Sequence, residues 1–257
     1  MRYEKEADIL DDVSNYADEE VCLLTQSQLE LDVISSIRDY RDNYADNSAH
    51  DALPPDFYSD KCNLMFDVMR VNDSEKRKSY NPIMRKERTL QKEIRETFAD
   101  TNISERALTN GLVINAMPEE DYDKAHNYQQ YLAQFTRVVK QHISKIPRWV
   151  EAHPTYKKGL FIFDETDLYL DYANAEDATK PWVEGEQVQL KGLHIPFLDE
   201  RFMEVILGSE LDFIIWALPY KLFSGGPYEL PRLCIIDLSK YDKELFIQYD
   251  ERCLRSR

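Results

Sequence analysis

The sequence predicts an α/β fold with a largely parallel or mixed central sheet flanked by helices, together with an acidic helical N-terminal extension. The first observation is that residues 160–163, 213–218 and 233–236 are apolar at every position, which is typical of strands buried on both faces. The second is that helical patterns alternate with these runs, as they do in strand–helix–strand units. The third is that most of the negative charge lies at the N-terminus.

The N-terminal region differs from the rest of the chain in charge. Residues 1–69 contain 17 Asp and Glu against 5 Lys and Arg, so they carry −12 of the whole net charge of −16. Apolar residues at helical spacing predict helices in this region. Segment 46–60 is rich in Asn, Asp and Pro and predicts a linker. We therefore expect an acidic, mainly helical extension over residues 1–60 and an α/β domain over residues 61–257.

The first part of the α/β domain is predicted to build a strand–helix–strand unit. Segment 62–71 predicts a strand or short helix, and an Asn-Pro start predicts a helix over residues 82–98. Residues 112–116 predict a short buried strand, and a continuous apolar face predicts a long helix over residues 119–146. With the strand at 160–163 these elements predict a parallel, right-handed unit.

The remaining elements alternate between strands and one helix. We predict strands at 168–172, 188–191, 212–218 and 233–237 and a helix at 199–207, with the first of these strands a candidate hairpin partner of 160–163. Because the carboxyl ends of parallel strands meet at one edge of a sheet, Asp164 and Glu165 are expected there, with Asp237 a further candidate. Trp216 and Lys221 are expected to follow a neighbouring strand.

Composition and short motifs exclude several classes of protein. No apolar run approaches the roughly 20 residues of a membrane helix, and the N-terminus does not resemble a signal peptide, so we expect a cytoplasmic protein that does not enter the membrane. The four cysteines form no CxxC pair, which argues against a structural zinc site and a disulfide framework. The serine nucleophile motif GxSxG is also absent.

The segment from Leu160 to Glu165 resembles the Walker B segment of P-loop ATPases, in which carboxylates hold magnesium. That resemblance does not extend further. The chain has only seven glycines and contains neither GxxxxGK[ST] nor GxGxxG. We therefore reject an ATPase, and no fingerprint supports a dinucleotide-binding site.

A second pattern resembles the PD-(D/E)xK nucleases, which place an acidic residue at the end of one strand and an acid-x-Lys pair on the next. Asp164 or Asp167 would be the first acid, and Lys191 would be the lysine. Gln189 stands where the family has its second carboxylate, so Glu186 is the candidate substitute. In this resemblance carboxylates bind a divalent metal and the lysine orients the attacking water. The residues it implies are Asp164 and Lys191 as catalytic groups, and Asp164, Glu165, Asp167 and Glu186 as ligands to Mg²⁺ or Mn²⁺.

A basic stripe supplies a candidate surface for nucleic acid. The helix predicted over residues 82–98 carries four cations at spacings of three, four and three, which places them along one face. Such a stripe either contacts phosphates or is a solvated face paired with neighbouring glutamates. The four predicted substrate-binding residues are Arg85, Arg88, Lys92 and Arg95.

Two hypotheses for function remain open at this point. The first is a metal-dependent, nuclease-like phosphodiesterase acting on nucleic acid. The second is a non-catalytic acidic interaction protein, such as an immunity protein, inhibitor or antitoxin, whose acidic N-terminal region binds a basic partner protein. The charge asymmetry motivates the second, because a strongly negative surface accelerates association with a cationic partner.

Overall fold

The structure is a computed structural model, and it describes residues 5–48, 55–72, 127–179, 189–221 and 230–256. It confirms the predicted α/β fold. A mixed sheet of seven strands forms the centre, and helices surround it.

The elements before residue 73 combine short helices with four strands. They are α1 (Glu6–Val13), β1 (Val21–Leu23), α2 (Gln28–Arg38), α3 (Tyr40–Asn43), β2 (Ala45–Asp46), β3 (Phe57–Ser59) and β4 (Leu64–Val71). Helix α2 begins at Ser27, whose hydroxyl accepts a hydrogen bond from the backbone N–H of Glu30 at 3.2 Å. The Glu30 carboxylate in turn accepts from the Ser27 N–H at 2.9 Å, which forms a capping box.

The elements after residue 126 supply the rest of the sheet and the helices on one of its faces. They are α4 (Tyr128–Ile143), α5 (Ile146–Ala152), β5 (Lys157–Asp164), β6 (Tyr169–Tyr172), α6 (Ala175–Thr179), β7 (Leu190–Leu193), α7 (Glu200–Leu207), β8 (Phe213–Ala217), β9 (Leu233–Asp237) and β10 (Leu254–Ser256). The predicted strands at 160–163, 212–218 and 233–237 and the helix at 199–207 are therefore confirmed. Among the described residues, no helix has the length and apolar character needed to cross a membrane.

The order of strands in the central sheet is β1-β9-β8-β5-β4-β3-β2. Strands β4, β5 and β8 are parallel, so their carboxyl ends lie at the same edge. Strand β9 runs antiparallel to β8, and β1 runs parallel to β9. Along the chain, α4 and α5 lie between β4 and β5, and α7 lies between β5 and β8.

Strand β5 shows why a run of apolar residues belongs in the middle of this sheet. Leu160 and Ile162 pack into the core beneath α4 and α7, whereas Phe161 and Phe163 pack into the core beneath α1 and α2. Both faces of the strand are thus buried. Gly159 is required at its start, because a Cβ there would lie 2.2 Å from the ring of Phe213.

Two predictions about the elements are not confirmed, and two others fall on residues outside the described ranges. The N-terminal extension is not confirmed, because β1 and β2 are strands of the central sheet. Strand β6 does not form a hairpin with β5. It pairs instead with β7 and β10 in a separate antiparallel sheet of three strands. The strand predicted at 112–116 and the helix predicted at 82–98 lie outside the described residues.

Candidate functional site

The carboxylate of Asp164 lies at the carboxyl end of β5, where the sequence predicts a site. Its side chain is fully buried, between α4 on one side and the end of β8 on the other. Asp164 and Lys221 lie in ion-pair contact, and Trp216 contacts the same carboxylate. The expected proximity of the neighbouring strand's Trp216 and Lys221 is therefore confirmed, whereas Asp237 lies at the opposite edge of the sheet, because β9 runs antiparallel to β8.

Both oxygens of Asp164 are engaged by groups of the protein. Oδ2 accepts hydrogen bonds from the hydroxyl of Tyr131 and from the indole N–H of Trp216, the latter at 3.2 Å. Oδ1 accepts from the backbone N–H and the hydroxyl of Thr166, at 3.1 and 2.6 Å. A carboxylate offers about four lone-pair positions, so these four donors use its capacity. A metal ion at Asp164 would have to displace some of them.

The ammonium of Lys221 completes the cluster. Its Nζ lies 3.2 Å from Oδ2 of Asp164, in ion-pair contact without hydrogen-bond geometry, and 4.7 Å from the ring centroid of Tyr131. The side chain is only 2% exposed. Burial, and then the negative charge of Asp164, raise the pKa of Tyr131 well above its usual value, so this phenol remains a hydrogen-bond donor. We call Tyr131, Asp164, Thr166, Trp216 and Lys221 the Asp164 cluster.

A second buried polar group lies next to the Asp164 cluster. The Nε2 atom of His194 lies 2.7 Å from Oδ2 of Asp199, which also accepts a hydrogen bond from the hydroxyl of Tyr128 at 2.7 Å. Asp199 caps α7 through the N–H of Arg201 at 2.9 Å. Burial lowers the pKa of His194, which favours the neutral imidazole. The ring is fully enclosed by aromatic side chains, so this group links α4 to α7.

A third internal carboxylate belongs to Asp67 in β4. His142 Nδ1 and Lys145 Nζ lie 2.7 and 2.8 Å from its Oδ2. Burial by itself would raise the pKa of Asp67, but the hydrogen bonds from these two residues lower it. The pKa of neighbouring Asp56 shifts in the opposite direction. Burial of Asp56, and then the negative charge of Asp67, raise this pKa to about 8.

The other predicted site residues do not gather around Asp164. Glu165 pairs with the guanidinium of Arg70, whose Nε donates to Oε2 at 3.0 Å. Lys191 is exposed on β7 in the small sheet, where the carboxylates of Asp171 and Asp250 are its charged neighbours. Asp167 is likewise not free, because it takes part in at least one interaction with other residues of the protein.

The remaining five predicted site residues lie outside the described residues. They are Glu186, Arg85, Arg88, Lys92 and Arg95. Within the described ranges, no group of three or more His, Cys, Asp and Glu side chains is placed to hold a metal ion. The roles predicted for Asp164, Glu165, Asp167, Glu186 and Lys191 therefore stay predictions.

Sequence reasoning missed several members of these buried groups. Tyr131 was predicted as part of the apolar face of a helix, and its hydroxyl gave no separate signal. Thr166 follows Asp164 by two residues, and an aspartate often accepts a hydrogen bond from the backbone N–H two residues later, so this contact could have been found. The pairing of His194 with Asp199 could have been suspected from the capping position of Asp199 before a helix.

The N-terminal elements present carboxylates of a different kind. Residues 5–48 contain 12 Asp and Glu against 3 Lys and Arg. Some are paired within the fold, as in the contacts of Asp11 with Arg41 and of Asp18 with Arg38. Others are exposed and have no cationic partner among the described residues. Asp32 and Asp46 are two of these, and they accept hydrogen bonds from Gln28 and Ser48. Within residues 5–48 the others are Glu19, Asp39 and Asp42.

Glu19, Asp39 and Asp42 lie around the carboxyl end of α2. The ion pair between Arg38 and Asp18 holds the turn that carries Glu19 against this end of the helix. Leu31 lies on the exposed face of the same helix and is 48% exposed, the most exposed of the large apolar side chains in the described residues. We call Glu19, Leu31, Asp39 and Asp42 the acidic surface.

Comparisons of the chain with protein-family models, with curated proteins and with solved structures gave no match. The fold and its chemistry are therefore the basis for any statement about function.

Proposed function

We propose that this protein is a non-catalytic interaction protein, of the kind that immunity proteins, inhibitors and antitoxins represent, and that its acidic surface binds a basic partner protein. The observation that carries this proposal is the set of exposed carboxylates around α2 that lack a cation within the described fold. Unpaired surface charge of one sign raises the rate of encounter with a partner of opposite sign.

The exposed Leu31 supports a protein partner rather than a simple polycation. Protein interfaces combine an apolar centre with a polar rim, and α2 carries the exposed Leu31 in its first half and the carboxylates at its carboxyl end. A single exposed leucine is common on protein surfaces, so Leu31 supports a protein partner only together with these acids. Lysine or arginine side chains of the partner would pair with the rim, and an apolar side chain would cover the leucine.

The buried carboxylates also favour a binding protein over an enzyme that uses Asp164. A catalytic carboxylate must reach its substrate or metal. Asp164 is fully buried and already accepts four hydrogen bonds. Its neighbours therefore use the charge of Asp164 to hold α4, β5 and β8 together.

The experiment compares two variants that remove the same number of negative charges. The surface variant carries E19Q, D39N and D42N. The control variant carries E151Q, E204Q and E210Q, three exposed acids of the other helices and their loops. Wild-type protein on a resin captures partners from lysate of the source cells, and the most enriched basic protein is then purified for equilibrium binding.

The surface variant should bind the purified partner about tenfold more weakly than wild type, since each exposed charge pair contributes about 0.2–1 kcal/mol. The control variant should bind as wild type does. Equal affinities for all three proteins would contradict the proposal, and so would a partner whose affinity falls equally in both variants.

A metal-dependent phosphodiesterase is the second candidate, and one observation favours it. Asp164 and Glu165 stand at the carboxyl edge of three parallel strands, the edge at which α/β proteins place their sites. On this proposal Mg²⁺ or Mn²⁺ binds Asp164, Glu165, Asp167 and Glu186, Lys191 orients water, and Arg85, Arg88, Lys92 and Arg95 hold nucleic acid.

The phosphodiesterase proposal can be tested at Lys191, because the side chain of Lys191 is exposed and its removal should not disturb the fold. Cleavage of single- and double-stranded nucleic acid with Mn²⁺ should fall about a hundredfold in K191A and should be unchanged in K240A, an exposed lysine elsewhere. Cleavage that is equal in both variants, or that survives chelation of the metal, would eliminate this candidate.

A further inference from the structure

Two cysteines lie side by side where the first and the ninth strands meet. Cys22 of β1 and Cys234 of β9 are directly opposite each other in the parallel register. Both thiols are free, Cys22 is partly exposed, and Cys234 is fully buried. Both side chains contact the core beneath α4 and α7, so they project from the same face of the sheet.

The spacing of paired strands suits a covalent link between these residues. Neighbouring strands lie about 4.8 Å apart, and disulfides join residues whose Cα atoms are about 4.4–6.8 Å apart. Strand β1 stands at one end of the sheet order and has only three residues, so it can adjust to the link more readily than a central strand.

We propose that Cys22 and Cys234 form a peroxide-sensitive dithiol site, in which oxidation by hydrogen peroxide joins β1 to β9 through a disulfide. In the first step the thiolate of Cys22 attacks one peroxide oxygen. An S–O bond forms, the O–O bond breaks, and hydroxide leaves and takes up a proton as water. Cys22 becomes a sulfenic acid.

In the second step the sulfur of Cys234 attacks the sulfur of Cys22. The S–S bond forms, the S–O bond breaks, and the departing hydroxide takes the thiol proton of Cys234 as a second molecule of water. Two thiols are oxidised and one peroxide is reduced, so the electrons balance. The partly exposed residue meets the oxidant, and the buried residue resolves the intermediate.

The contact between the two thiols also prepares Cys22 for the first step. The thiol of Cys234 hydrogen-bonds to the sulfur of Cys22, which lowers the pKa of Cys22 to about 7, although burial and the charge of Glu30 oppose this effect. Burial raises the pKa of Cys234 well above its usual value. Cys22 is therefore the nucleophile of the pair, because the thiolate is the reactive form of cysteine.

The other two cysteines provide matched controls. Cys62 packs against the core on the opposite face of the sheet, and Cys253 is buried just before β10 in the small sheet. The C62S/C253S double variant therefore retains only the proposed pair, whereas C22S and C234S each remove one partner of it.

The experiment treats the reduced, full-length protein with hydrogen peroxide and then counts thiols after unfolding. Wild type should lose two of its four thiols and the mass of two hydrogen atoms, and a non-reducing peptide map should link Cys22 to Cys234. C62S/C253S should form the same link. C22S should form no disulfide, and C234S should give a sulfenic acid at Cys22 that dimedone traps.

A second measurement tests the proposal even if variants of the buried Cys234 fold poorly. Alkylation of Cys22 by iodoacetamide should have its midpoint near pH 7 in C62S/C253S, and this midpoint should rise in C234A, which lacks the donor, but not in C234S, whose hydroxyl can donate in place of the thiol. A disulfide between any other pair, or four intact thiols under conditions that oxidise glutathione, would overturn the proposal.

Discussion

The carboxylate of Asp164 accepts four hydrogen bonds inside the protein and lies beside a buried ammonium, whereas the carboxylates of Asp39 and Asp42 face water without a cation among the described residues. The same chemical group therefore has different consequences in the two places. Inside, its charge holds the sheet and helices together. Outside, its charge remains available to a partner.

The comparison teaches that an acidic residue at a strand end is not by itself a site. What matters is whether its oxygens are free to contact another molecule. Asp164 has the position expected of a catalytic residue, but donors from α4, β8 and the following loop surround it. Asp39 and Asp42 match no motif, yet their oxygens are accessible.

The largest expected effect is on stability when the interior charge is removed. Replacing Asp164 by Ala leaves Lys221 buried without its counter-ion and leaves three side-chain donors unpaired. We expect a loss of about 3–5 kcal/mol in the free energy of unfolding, measured in urea.

The control is E204A, an exposed acid whose loss should change stability by less than about 0.5 kcal/mol. If D164A had the same free energy of unfolding as wild type, the buried carboxylate of Asp164 would not stabilise the fold. The distinction between a structural carboxylate inside and available carboxylates outside would then be wrong.

A second effect should appear as a dependence of stability on pH. The pKa of Asp56 is raised to about 8 in the folded protein. Between about pH 4 and pH 8 the folded state therefore retains a proton that the unfolded state loses, so the contribution of Asp56 to stability falls as pH rises. In D56N this fall should be absent.

The measurement is the free energy of unfolding of wild type and D56N at several values between about pH 5 and pH 8. The difference should move in favour of D56N as pH increases. The exposed variant D39N should show no such trend relative to wild type. A constant difference between D56N and wild type would mean that Asp56 is ionised throughout this range.

A still smaller effect is expected from the apolar part of the acidic surface. Leu31 is half exposed, so L31A should leave the stability of the free protein within about 0.5 kcal/mol of wild type. It should weaken partner binding by about 1–2 kcal/mol if the partner covers this side chain. The exposed Leu245, replaced by Ala, is the matched control. Unchanged binding by L31A would place the interface elsewhere.

The sequence was sufficient to predict the parts of the fold that depend on local patterns. Strands β8 and β9 and the central part of β5, residues 160–163, are apolar at nearly every position, and helix α7 follows a capping aspartate. Strand β1 was not found, because three residues of intermediate burial among acidic helices carry no periodic signal. The sequence predicted that β6 pairs with β5, which precedes it in the chain. In the structure β6 pairs with β7 and β10, because tertiary packing and not proximity in the chain determines its partners.

The site was less predictable than the fold for a related reason. Patterns in the sequence place Asp164 at the end of a strand and Lys221 after a neighbouring strand, and the structure confirms both, although Trp216 lies within that strand and not beyond it. They do not say that Tyr131 reaches the same carboxylate from a helix. Whether a charge is satisfied depends on contacts between distant segments, and one sequence alone does not give these contacts.

The proposed role of the acidic surface is tested by the rate at which the purified partner associates with wild type, the surface variant and the control variant at increasing salt concentration. The surface variant should associate more slowly at low salt and its rate should depend less steeply on salt, whereas the control variant should follow wild type. Indistinguishable rates and salt dependences for wild type and the surface variant would contradict the claim that these carboxylates bind the partner.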